Sequence, residues 1–333
     1  MYTLLKDIMC TPSISGRENT VADKLKKYIT PYVDECYKDA LGNLIAVKKG
    51  SGNDNKKIML CAHMDEIGFL VTYIEESGYI RTAPVGGINY IAASFSEVVS
   101  ENGVRGVLVP EAGTSAADIN GEKTCIDIGA KNKEEAQKYV RIGDSVHFKS
   151  DYVEFGNDKI KAKAIDDRFG CAVMLKMIED DLEYDTYFAF LVQEEVGCRG
   201  GGPAVFSVRP DYAVVLEATT ASDIAFVSDE NRVCVQGEGA VVSFMDRSTV
   251  YNPDLFRGAF DIAERERIKI QPKTTVAGGN DAGTIHKSCE GVYTVAVSLP
   301  CRYIHSGTCV ADKKDMIECY RLAKALGEEY ANA

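Results

Sequence analysis

The chain of 333 residues contains no tryptophan and only four histidines, at positions 63, 147, 286 and 305. Without tryptophan it lacks the broad ring on which sugars commonly stack in a carbohydrate cleft, and any site that uses imidazole must draw on those four positions. Long apolar runs are missing too. The longest, residues 169–175 and 187–192, fall far short of the ~20 residues a membrane-spanning helix needs. Positive charge is scarce: 38 Lys and Arg stand against 50 Asp and Glu, a net charge of −12 with no basic cluster, which excludes a phosphate backbone as partner. None of the eleven cysteines forms a C-x-x-C pair, the number is odd, and Cys61, Cys171 and Cys234 sit among apolar residues. Reduced thiols packed as small hydrophobes are therefore expected, without a disulfide framework or zinc ribbon. The opening MYTLLKDIMCTPS meets Asp7 before any uninterrupted apolar core develops, so no secretory signal is read and a cytoplasmic location is expected.

What is present suits an ordinary globular protein. Hydrophobic residues make up 45% and charged residues 26%, enough for a sizeable core, and the length corresponds to about two domains. Apolar residues at helical spacing predict helices over 2–10 and 20–29, and strands follow over 33–37, 44–47 and 57–62. From 69 to 159 short alternating segments punctuated by Gly and Asn predict a β-rich insert, with one helical stretch over 131–140. Beyond it helix and strand patterns alternate. Helices are expected over 167–178, 204–207, 254–266 and 313–326, and strands over 186–192, 212–216 and in VYTVAVSL. Such alternation argues for an α/β sheet with helices on both faces.

In sheets of this kind functional residues gather beyond the carboxyl ends of the strands. IMLCA leads into His63-Met64-Asp65, the insert returns into Asp166-Asp167-Arg168, YFAFLV leads into Glu194-Glu195, YAVVL into Glu217, and VAVSLP towards His305. A lone histidine after a strand is more often a hydrogen-bonded core residue than a ligand, and paired carboxylates such as Glu134-Glu135 are usually solvated. The doublets at 166 and 194 differ, because each adjoins a buried-looking element where unpaired charge is penalised. Recurrence at several strand ends is the signal. GCRGGGP lacks the Lys-Ser/Thr ending of a phosphate loop and reads as a helix-start turn. His147, in the alternating GDSVHFKSD, is expected on a strand facing solvent, and His286, in GGNDAGTIHKS, in a structural role.

The motifs SISGRE, LGNLIAVKKG, AHMDEIGF, AIDDRFG, QEEVGCRGG, FMDRS, GGNDAGTIH and RYIHS, in that order over nearly the whole length, resemble the tetrahedral aminopeptidases. These form metallopeptidase family forty-two, with its glutamyl and deblocking aminopeptidases. The resemblance implies a zinc-peptidase-like catalytic domain over 1–66 and 160–333, interrupted over 67–159 by a small β-barrel, a PDZ-like dimerisation domain. It further implies two divalent ions: His63, Asp166 and Glu217 for one, and Asp166, Glu195 and His305 for the other, with Asp166 bridging. Glu194 is implied as general base and Asp65 as the partner behind His63. Short peptides are the implied substrates, and homo-oligomers, as dimers or tetrahedral dodecamers, the implied assembly.

The implied ligand set is chemically coherent. Two dications and three carboxylates leave one positive charge for an anionic nucleophile, and three protein ligands per ion leave a position open, as catalytic sites require. Imidazole mixed with carboxylate suits zinc or cobalt, and also manganese. Glu194 and Glu195 would point to opposite faces of an ideal strand, so both reach one site only if the strand ends before them. Two positions depart from the family pattern: Glu217 stands where Asp is common, and Gly307 follows His305-Ser306 where Pro is common. The alternatives are a glycoside hydrolase of glucanase type, with its pair of carboxylates, and a non-catalytic assembly protein of the same fold.

Overall fold

Two helices open the chain, α1 (Tyr2–Met9) and α2 (Asn19–Ile29). Leu5, Ile8 and Met9 fall on one face of the first, Val21, Ala22, Leu25 and Ile29 on one face of the second, and all are buried in a common core. Strands β1 (Glu35–Lys38), β2 (Leu44–Lys48) and β3 (Ile58–His63) follow. Next come β4 (Gly68–Ile74), β5 (Ile80–Val85), β6 (Glu97–Ser100), β7 (Arg105–Pro110), β8 (Thr124–Asp127) and β9 (Ser145–Phe148), with short helices α3 (Tyr90–Ala93) and α4 (Lys133–Ala136) between them. After β10 (Val153–Phe155) and β11 (Lys159–Ala162) stand α5 (Ile165–Glu179), β12 (Thr186–Leu191), α6 (Gly201–Val208), β13 (Tyr212–Thr220) and β14 (Ala240–Val242). The chain ends through α7 (Pro253–Glu266), β15 (Ile270–Pro272), α8 (Ala282–Ile285), β16 (Tyr293–Arg302), β17 (Cys309–Asp312) and α9 (Lys313–Ala331). This computed structural model describes residues 2–52 and 56–333; Met1 and residues 53–55, part of the expected 1–66 segment, lie outside the described residues.

One mixed sheet runs in the order β1-β2-β12-β3-β13-β16-β17-β11-β10, with β14 and β15 attached beside β16. Its centre, β12-β3-β13-β16, is parallel. Alternate side chains of these strands enter two different cores. Leu60 and Ala62, Phe188 and Phe190, and Val214 and Leu216 pack with residues of α1, α2, α5, α7 and α9. Met59 and Cys61, Ala189 and Leu191, and Ala213 and Val215 pack with those of α6 and α8. The expected α/β sheet with helices on both faces is the observed one. The small barrel is present too: β4-β5-β8-β7-β6-β9 closes on itself around Phe69, Leu108, Ile126, Val146 and Phe148. All eleven cysteines are free thiols, and among the described residues no helix is long and apolar enough to cross a membrane.

Two local expectations need correction. The helix expected over 131–140 contracts to α4, capped by Asn132, because only Ala136 and Val140 of that stretch reach the barrel core. His147 does not face solvent. It is 9% exposed, because Ser13, Ile14, Gly16 and Arg17 line a cavity against the outer side of β9. Burial, together with Lys163 and Arg168, holds its imidazole down at about 4. In the unfolded chain the same ring takes up a proton as pH falls through ~6.5. The native state therefore loses stability between that pH and about 4, by about 2 kcal/mol at pH 5. Urea unfolding at pH 7 and pH 5 should show a smaller acid loss for His147→Gln than for wild type; equal losses would refute the assignment.

Candidate metal centre

The chain leaving the carboxyl ends of the parallel strands converges at one edge of the sheet. His63 is the last residue of β3, Glu194 and Glu195 follow the end of β12, and His305 lies just past β16. Glu217 was expected at a strand end but lies inside β13, paired with Ser298 of β16. It still reaches the edge because β3 pairs with β13 only as far as Cys61–Val215, so the longer strand overhangs its neighbour. Asp166 stands at the start of α5, where Asp166 and Asp167 both leave helical geometry.

Two groups of side chains meet there. His63, Asp166 and Glu217 form one, Asp166, Glu195 and His305 the other, and within each group ligand atoms lie within 4.8 Å of one another. His63 Nε2 is 3.1 Å from Asp166 Oδ1 and 3.5 Å from Glu217 Oε1. On the other side His305 Nε2 is 3.6 Å from both Asp166 Oδ2 and Glu195 Oε2. Each oxygen of Asp166 thus addresses a different imidazole.

Electrostatics marks this edge as a place for cations. Burial and the charge of Asp166 push the carboxyls of Glu195 and Glu217 well above the usual carboxylate range. Asp166 is opposed by burial too, yet bonds to His305 and His63 hold it low. His305 is lifted to about 9, against its own burial, by Asp166 and Glu195. Buried carboxylates of one sign require cations or protons, and this donor set of oxygens and imidazole nitrogens fits divalent transition metals.

A tight turn brings both glutamates to the edge. Gln193 (φ 58°) and Gly197 (φ 117°) take left-handed backbone, and the N–H groups of Gly197 and Cys198 both donate to the Glu194 carbonyl. A second clasp comes from Asp65, fully buried, whose Oδ1 accepts from Glu194 N at 3.1 Å and Oδ2 from Glu195 N at 3.2 Å. Ser15 Oγ also donates to Oδ2 at 2.6 Å. Asp65 does sit behind His63, although Nδ1 lies closer to its carbonyl oxygen, 3.1 Å, than to its carboxylate, 3.5 Å. The Cys198 thiol, 3.2 Å from Glu194 Oε1, holds one carboxylate oxygen while Oε2 faces His63 at 4.0 Å. Burial, with the charges of Asp166 and Asp65, raises the Glu194 carboxyl.

A cavity of about 320 Å³ opens over this edge, and one lining residue, Lys273, was not singled out by the sequence. Lys273 lines it, with Nζ donating to the Ala277 carbonyl at 2.7 Å; burial draws its ammonium down although Asp246 and Glu217 favour the charge. Asp281 is buried with Oδ1 unpartnered, pushed well up by burial and the charge of Glu194. Two of the three GGNDAG glycines are explained by FMDRS: a Cβ on Gly279 or Gly283 would fall 2.9 or 2.4 Å from Ser248 Oγ. His286 is half-buried with Nδ1 2.6 Å from the Ala282 carbonyl, a structural contact. Gly307 packs against Phe148 of the barrel, which a Cβ would approach to 3.3 Å, so the His305 loop leans on the barrel.

The chain is similar to known proteins over nearly its whole length. A family model described as M42 glutamyl aminopeptidase matches residues 42–322. The chain is 33% identical to the lysyl aminopeptidase of Pyrococcus furiosus over 98% of its own length and 97% of that protein. Its fold is similar to that of aminopeptidase APDkam598 from Desulfurococcus kamchatkensis, with a TM-score of 0.93, 34% identity, and 98% and 94% of the two chains covered. The TET1 peptidase of Pyrococcus horikoshii, described as able to assemble into a tetrahedron or a large octahedral shell, gives a TM-score of 0.84 at 31% identity, covering 98% of each chain.

Proposed function

Since the chain belongs to the M42 glutamyl aminopeptidase family and is an aminopeptidase, we propose that it removes N-terminal residues from short peptides with two divalent ions, zinc or cobalt before manganese. The observation that carries this reading is the pair of ligand groups sharing Asp166. His63, Asp166 and Glu217 would hold one ion and Asp166, Glu195 and His305 the other. Bound there, the ions would polarise the scissile carbonyl and make water more acidic. Glu194 takes the proton from the attacking water and passes it to the leaving amine. The Cys198 thiol and the Asp65 clasp fix its orientation. A glucanase needs two carboxylates flanking a glycosidic bond, whereas here the carboxylates converge on two imidazoles. Stripping the protein with chelator, reconstituting it with zinc, cobalt or manganese, and assaying aminoacyl anilides should restore hydrolysis at two ions per chain. Full activity in the stripped protein would refute the reading.

Asp65→Asn should weaken metal binding by about 10- to 100-fold without removing a ligand. A carboxylate accepts from Ser15, Glu194 and Glu195 together, whereas an amide offers one acceptor oxygen and turns donors towards a donor. Competition with a metal-chelating dye measures the effect. An unchanged affinity would leave Asp65 as an ordinary structural residue.

The barrel is proposed as the dimerisation module. Its surface exposes Ile91, Phe95, Tyr139 and Ile142, side chains that association would cover. Because β10 and β11 pair into the main sheet beside β17, the deletion that tests this spans 69–149, and the expected product is monomeric by light scattering. A soluble product still dimeric or larger would sink the idea.

A further inference from the structure

A second cavity, about 590 Å³ and larger than the one over the metal centre, lies between the segment entering α2 and the outer face of β6 and β9. Its polar groups are unusually underused. Ser13, 2% exposed, lines it, and its hydroxyl, enclosed in the wall, has no hydrogen-bond partner among the described residues. The His147 ring makes no hydrogen bond among the described residues, and at neutral pH it is uncharged, so it offers one N–H and one bare nitrogen. The Arg17 guanidinium is exposed and makes no ion pair among the described residues; its charge helps to lower the Glu101 carboxyl, after the bonds from Ser145. Glu101 receives both the N–H and the O–H of Ser145 on Oε2, which leaves Oε1 without a partner among the described residues. Finally, the first turn of α2 opens here at Asn19 and Thr20 without a side-chain cap, because Glu18 Oε1 is engaged by Gly16 N and Gln193 N.

A bare anion entering this cavity would meet Glu101, and a bare cation would meet Arg17. A molecule carrying both charges satisfies both walls. We propose that the cavity binds a free α-amino acid. The carboxylate lies against Arg17 and the uncapped N–H groups of α2, and the ammonium against Glu101 Oε1. His147 supplies a further hydrogen bond, and Ile14 and Val99 form an apolar wall for the side chain. Such a ligand is what an aminopeptidase releases. That link rests on the activity, but the binding site does not.

Calorimetric titration of L-leucine into the protein, with metal and again in EDTA, tests the proposal. One site per chain is expected, with Kd of about 1 mM or tighter, unchanged by EDTA. N-acetyl-leucine lacks the ammonium and leucinamide the carboxylate, so each should bind at least about ten-fold more weakly. Arg17→Ala and Glu101→Gln, both at exposed positions, should each cost a similar factor while thermal midpoints stay at the wild-type value. Absence of binding at about 20 mM leucine, binding abolished by EDTA, equal binding of either analogue, or indifference to both substitutions would overturn it. A protein that binds leucine but hydrolyses no peptide would leave the site standing and remove the catalytic reading, so the two failures are distinguishable.

Discussion

Glu194→Gln is expected to retain both ions and to lose turnover by roughly 10² to 10⁴-fold, the usual contribution of a positioned acid/base. The amide is nearly isosteric, and Glu194 belongs to neither ligand group. The loss should fall on kcat more than on KM, because proton transfer belongs to the transition state. Glu195→Gln should differ in kind. It sits 3.6 Å from His305 within the second group, so this variant should lose or weaken one ion and recover part of its activity in excess cobalt or zinc. Elemental analysis beside steady-state kinetics separates the two. A Glu194→Gln protein with near-normal kcat, or one that loses metal as Glu195→Gln does, would overturn the division of labour.

Asp166→Asn should cost more than either. Its two oxygens address different imidazoles, Oδ1 with His63 and Oδ2 with His305, and Asp166 is the member common to both groups. An amide presents one oxygen and one NH₂, so one ion meets a donor in place of a ligand, and the charge that offsets two dications falls by one. Metal content should drop from two ions to one or none. The expected fall in kcat/KM is roughly 10⁴-fold or more, about 5.5 kcal/mol of lost transition-state stabilisation. Excess metal should not rescue it. A variant that binds two ions with wild-type affinity would show that Asp166 bridges nothing.

The central strands were readable as short continuous apolar runs, because a strand buried on both faces carries no polar alternation. Which strands neighbour one another was not. The five clustered side chains come from five separated stretches, so no spacing announces them; the ordered family motifs supplied the set. Glu217 shows the limit well. YAVVL looks like a complete strand, but β13 runs on to Thr220 because β16 pairs along its whole length, a fact held by the partner strand. His147 fails for the same reason: alternation identified its strand, and the residues that cover it belong to the segment before α2. Lys273 carries no local signal at all, since an isolated lysine in a loop reads as solvated until the cavity around it is known.

The same scattering has a consequence for biosynthesis. The N-terminal half emerges from the ribosome first, and its His63 has no Glu217 or His305 to meet. A nascent chain that stops before β16 also lacks the strand beside which β13 completes its overhang, and α9, whose Met316, Cys319 and Leu322 fill the main core, comes last of all. Pairings this distant in sequence form late. The ligand set is therefore completed late in synthesis: a chain cut before β16 holds His63, Asp166, Glu195 and Glu217 and lacks His305.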